Sequence, residues 1–80
     1  MAQQKFIIRN RDCAAWLTQI QTEGNQRIFR YLPNVAQAKV YNTMREARAM
    51  AEQCRGRVQI MKHKKAGVAY AEDIKDDDKH

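Results

Sequence analysis

Eighty residues, 44% of them hydrophobic and 30% charged, make one small globular domain, with an apolar content that excludes a disordered chain and a length that leaves little room for an enclosed pocket. The formal net charge is +6, but residues 1–71 hold thirteen Lys or Arg against four acids, a surplus of +9, whereas residues 72–80 hold five acids and two Lys. No apolar run approaches the ~20 residues of a membrane span and "FII" is too short for a signal peptide, so the expected location is the cytoplasm.

The stretch "KFIIRN" at 5–10 is rich in β-branched and aromatic residues and predicts a first strand, with Phe6 and Ile8 on one face. Asn10 to Asp12 mark a turn. In "AAWLTQIQ", Trp16 and Ile20 share a face around Thr18, which predicts a second strand that buries Trp16. Gly24 and Asn25 tolerate positive φ and suit a hairpin loop joining 15–21 to 26–32.

The returning strand "RIFRYL" at 27–32 can face either way. With Ile28 and Leu32 inward, Phe29 and Tyr31 flanked by Arg27 form a surface on which bases stack. With the aromatics inward, that platform disappears. The first arrangement places Arg30 under the covering layer, where an unpaired guanidinium is costly, so aromatics inward is the favoured expectation.

"VAQAKVYNT" mixes a helical turn, through Val35 and Ala38, with extended chain, through Val40 and Tyr41, and reads as a connector. "TMRE" is a capping box with Thr43 at the N-cap and Glu46 three residues on. Ala47, Met50, Ala51 and Cys54 form an apolar stripe, and Gly56 suits a left-handed C-terminal cap, so one helix is predicted at about 44–55. "RVQIMKH" alternates with Val58 and Ile60 on one side and Arg57, Gln59 and Met61 on the other. "KKAG" then turns the chain into "VAYA", a last strand. The expected fold is a single α+β two-layer domain over 1–71, an antiparallel sheet of four to five strands packed by one helix in the order β-β-β-α-β(-β).

Residues 72–80 read as an acidic flexible tail. Their "DIKDDDKH" also resembles an epitope tag, which would set them apart from function.

Cys13 and Cys54 have neither a framework of other cysteines nor C-x-x-C spacing, so both are expected to be small reduced core residues. No P-loop, dinucleotide fingerprint or paired carboxylates are present, and His63 among lysines has no companion ligands. Neither an enzyme, a cofactor nor a metal site is expected.

Two surfaces remain. Lys62, Lys64 and Lys65 with Arg55 and Arg57 suggest a basic edge near one end of the sheet, and Arg45, Arg48 and Arg55 a basic ridge on the helix. These seven are the candidate partner-binding or phosphate-binding residues. Arg27, Phe29 and Tyr31 are the alternative base-stacking set. An exposed edge strand could also pair with a second copy, giving a homodimer.

In pattern, "FIIRN", "VAQAKVYNTMREARAMAEQCRGRVQIM" and the ending "GVAYAED" resemble small accessory proteins of bacteriophages and mobile elements, among them some small anti-CRISPR proteins with a strand, helix and hairpin layout. The hairpin within residues 13–33 has no counterpart in that comparison. The resemblance implies a phage-borne inhibitor in the bacterial cytoplasm that binds a host protein or nucleoprotein complex without catalysis. Direct DNA or RNA binding is the alternative.

Overall fold

The computed structural model describes residues 4–74. Five strands form one antiparallel sheet: β1 (Lys5–Arg9), β2 (Trp16–Glu23), β3 (Gln26–Leu32), β4 (Arg57–His63) and β5 (Ala69–Asp73), with helix α1 (Met44–Cys54) between β3 and β4. The spatial order is β3-β2-β1-β4-β5. This is the expected α+β domain, order β-β-β-α-β-β, with the optional last strand present. It reaches Asp73, so Glu72 and Asp73 belong to β5 and not to a tail. The remainder of the expected tail, 75–80, lies outside the described residues.

Both hairpins are local. Gly24 takes φ 60 at the β2–β3 tip, where the turn between Glu23 and Gln26 needs a positive φ that Gly adopts without strain. The β4–β5 turn closes with Lys64 N–H on the Val68 carbonyl at 2.9 Å and Gly67 N–H on the Lys64 carbonyl at 2.8 Å.

A register shift between Leu17 and Gln19 makes Thr18 an extra residue in β2. Strict alternation would send Leu17 and Ile20 to opposite faces; the bulge brings both to one. They pack with Ile8 and Ala51, whereas Trp16 packs on the other face with Ile7 and Met61. The expectation that Trp16 and Ile20 share a face is therefore corrected.

The sheet carries a small core on each face. Ile7 and Ile8, adjacent in β1 and both fully buried, look in opposite directions. On Ile8's side lie α1, through Ala51, Met50 and Cys54, and the rings of Phe29 and Tyr31. On Ile7's side a single 3-10 turn, Val35–Gln37, is capped by the Asn34 side chain and seats Val35 and Ala38 against Met61.

The connector passes from one face to the other between β1 and β2. Lys39 N–H donates to the Leu17 carbonyl at 2.8 Å, and Phe6 and Tyr41 exchange backbone bonds at 2.9 and 2.8 Å. These bonds satisfy inner backbone groups of two strands that pair with each other at Arg9 and Trp16.

At the start of α1, the Thr43 hydroxyl accepts from Glu46 N–H at 3.2 Å, the hydroxyl half of the capping box. At its end the left-handed residue is Arg55, with φ 58 and ψ 43, and not Gly56. Gly56 is needed for another reason. A Cβ there would collide with Ile8 Cγ2 and lie 3.1 Å from the Arg9 carbonyl oxygen.

Cys13 is exposed in the β1–β2 turn, against the expectation of a core residue, while Cys54 is half-buried on the sheet-facing side of the helix. Residues 11–14 of that turn are all exposed among the described residues.

Candidate functional site

Two Arg-x-Arg triplets, Arg9-Asn10-Arg11 and Arg55-Gly56-Arg57, end one strand and begin another. Because β1 and β4 run antiparallel and neighbour each other, the two triplets meet at one end of the sheet. Arg9 and Arg57 are cross-strand partners in the ladder, an arrangement in which like charges oppose folding. The close approach of Gly56 to β1 brings the end of α1 against the same place.

The result is an open concavity of about 920 Å³, lined by Arg9, Arg11, Arg48, Arg55 and Arg57, with Glu52 as the one acid among the described residues, and by the apolar Ala51, Val58 and Ile74. Arg48, Glu52 and Arg55 lie four and three residues apart and so share the helix face that looks onto the strand ends. The helix C-terminus carries partial negative charge and offsets some of the repulsion around Arg55. Among the described residues, five arginines against one acid leave the lining with a positive surplus.

Three of the seven residues expected to bind phosphate or a partner, Arg48, Arg55 and Arg57, line this cleft. Arg45 is exposed on α1 outside the lining. The expected basic edge uniting Arg55 and Arg57 with Lys62, Lys64 and Lys65 does not form. Arg57 opens β4, and Lys62 lies near its far end, roughly 17 Å away at ~3.3 Å per residue. Lys62 is instead paired with Glu72 at 2.7 Å, and that hydrogen bond holds its ammonium above the usual lysine range. Lys64 stands over the Tyr70 ring, 5.7 Å from its centroid.

Sequence reasoning misses Arg9 and Arg11 because an arginine at a strand end reads as solvated. The repeated Arg-x-Arg spacing, joined to the antiparallel pairing of β1 with β4, is the signal that finds them.

The alternative stacking surface is also corrected. Phe29 and Tyr31 pack against Ile8, Leu17 and Ala51 beneath α1, and Arg27 reaches across to donate to Gln53 Oε1 on the helix. Burial, reinforced by the Cys54 side chain, pushes the Tyr31 phenol well above its ordinary range. On the opposite face Arg30 lies exposed and donates to Gln21 Oε1 at 2.9 Å, which is the solvated placement that makes aromatics inward the cheaper choice.

Beside the cleft a chain of polar contacts crosses the sheet. Trp16 Nε1–H donates to Gln59 Oε1 at 2.8 Å, and Gln59 Nε2–H donates to Asp73 Oδ1 at 2.7 Å. Asp73 Oδ1 in turn lies 3.8 Å from the Arg57 guanidinium. Gln59 is only 7% exposed, so both ends of its amide need partners, and both have one.

No family model matches the chain, and no curated protein or solved structure is significantly similar to it.

Proposed function

We propose that this is a non-catalytic binding protein that holds the sugar-phosphate backbone of a nucleic acid in the arginine-lined end of its sheet. The observation that carries this reading is the meeting of five arginines around one cleft, with Arg9 and Arg57 paired across the ladder. A ladder position where like charges face each other is unfavourable in the free protein and becomes favourable when an anion sits between them. Guanidinium groups present planar paired donors that fit phosphate oxygens. With its large rings turned inward, the protein has contacts for phosphates and few for bases, so recognition is expected to be largely blind to sequence.

Host-directed inhibition is the second reading, and it uses the same residues. The cleft is open and wide enough to admit a carboxylate-bearing loop of a host protein or nucleoprotein complex in the bacterial cytoplasm, and the basic body would steer such an encounter.

The two readings are separated by titrating labelled single-stranded and duplex DNA and RNA at several salt concentrations. The expected result is affinity that falls steeply with salt. Arg9→Gln or Arg57→Gln should each weaken binding to all sequences alike and reduce the logarithmic salt slope by about 1. Lys64→Gln with Lys65→Gln should change it far less. Loss of binding on changing the lysines, with the arginine variants unaffected, would remove the cleft from the reading. An absence of binding even at low salt would transfer the arginines to an acidic protein partner.

A further inference from the structure

We infer that Asp73 is a specificity-determining residue of the arginine cleft, a fixed carboxylate beside it from which a bound anion must draw Arg57 away. The inference rests on the reading of the cleft as a phosphate site.

Asp73 ends β5 on the same sheet face as Gln59, its cross-strand partner. Two groups compete for its Oδ1, and they hold it unequally. Gln59 Nε2–H donates to it at 2.7 Å, whereas the Arg57 guanidinium stands off at 3.8 Å, with the two charged side chains 60% and 65% exposed. An exposed pair at that distance is weak and easily exchanged. The anchor of Asp73 is therefore Gln59 and not Arg57.

Gln59 in turn cannot rotate its amide. The indole N–H of Trp16 only donates, so it claims the amide oxygen and leaves the NH2 facing Asp73. Trp16 and Gln59 thus fix the carboxylate beside Arg57 whether or not Arg57 is engaged elsewhere.

The chemical consequence is a threshold. A ligand with one anionic group gains Arg57 only against a resident carboxylate. A chain of phosphates reaches Arg9, Arg11, Arg48 and Arg55 as well and meets that competition at one contact out of five. Asp73 selects for multivalent anions over single ones.

The control lies one residue away. Glu72 carries the same charge on the same strand, but on the other face and paired with Lys62. Asp73→Asn and Glu72→Gln change net charge equally, and because the two side chains leave opposite faces of the sheet, a difference between them reports the local effect at Arg57. The amide introduced by Asp73→Asn keeps an oxygen for Gln59, and an unchanged Trp16 emission spectrum would show the network intact.

With tripolyphosphate and with a labelled mixed-sequence duplex as probes, Asp73→Asn should tighten binding about two- to five-fold, Glu72→Gln should not, and inorganic phosphate should gain proportionally more than tripolyphosphate. In an Arg57→Gln background the gain should vanish. Equal effects of Asp73→Asn and Glu72→Gln, or a gain that persists without Arg57, would overturn the assignment of Asp73 alone. Binding of neither probe by any of the proteins would overturn the cleft reading and this inference together.

Discussion

Alanine at position 56 has no room, although the position does not use the conformational freedom of glycine. Its added methyl would collide with Ile8 Cγ2, approach the Arg9 carbonyl oxygen to 3.1 Å and touch Cys54 Sγ at 3.4 Å. Ile8 is fully buried in the central strand and is held by its ladder partner Val58, so the collision is relieved only by pushing α1 away from β1. Overpacking of this kind costs ~1–3 kcal/mol, and the fixed position of Ile8 puts Gly56→Ala at the upper end. At ~4–8 °C per kcal/mol for a domain of this size, the melting temperature should fall by about 12–24 °C. Arg55→Gly is the matched contrast. It relieves a left-handed residue that costs ~1–2 kcal/mol without glycine and loses ~0.5–1 kcal/mol to the greater freedom of the unfolded chain. The net gain lies between about 0 and 1.5 kcal/mol. Thermal and urea unfolding followed by circular dichroism measure both. A Gly56→Ala protein that melts with the wild type, or an Arg55→Gly protein that loses as much stability, would refute the division of roles between these two residues.

Two half-buried tyrosines give further tests. The Tyr41 hydroxyl is buried without a hydrogen-bond partner among the described residues, so Tyr41→Phe should leave stability unchanged or raise it by up to about 1–2 kcal/mol; a clear loss in denaturant unfolding would show that the hydroxyl has a partner. Burial raises the Tyr31 and Tyr41 phenols above their ordinary value of 10.0. The folded state therefore keeps its protons longer than the unfolded state, and the stabilisation is complete below pH ~10 and declines as pH rises beyond it. Tyr31→Phe should flatten that alkaline decline, and an unaltered pH profile would count against the inward placement of the ring.

Where the sequence is readable, a local physical rule decides it. The Gly24-Asn25 tip, the Thr43 cap and the inward rings of β3 follow from turn chemistry, capping and the cost of burying Arg30. Register is not readable in the same way. The bulge at Thr18 reverses the expected partnership of Trp16 and Ile20, and no pattern in "AAWLTQIQ" announces it. The cleft is half visible: Arg48, Arg55 and Arg57 stand out as basic residues on and after the helix, but their union with Arg9 and Arg11 depends on which strands are neighbours and how they align. Proximity in sequence suggests the lysines at 62–65 instead, and a strand carries them to the opposite end of the sheet. The role of Gly56 is misjudged from sequence because a glycine after a helix serves either a left-handed turn or a close approach, and only packing tells which.

The passage of the connector between β1 and β2 has a consequence for how the domain opens. A segment that lies on one face at Ala38 and on the other at Tyr41, fastened to both strands on the way, acts as a rivet. Neither layer can peel from the sheet without loosening the other. Small cores that would be marginal singly thereby share one cooperative transition, and lengthening of the chain should be absorbed at the two hairpin tips long before it is tolerated at residues 39–41.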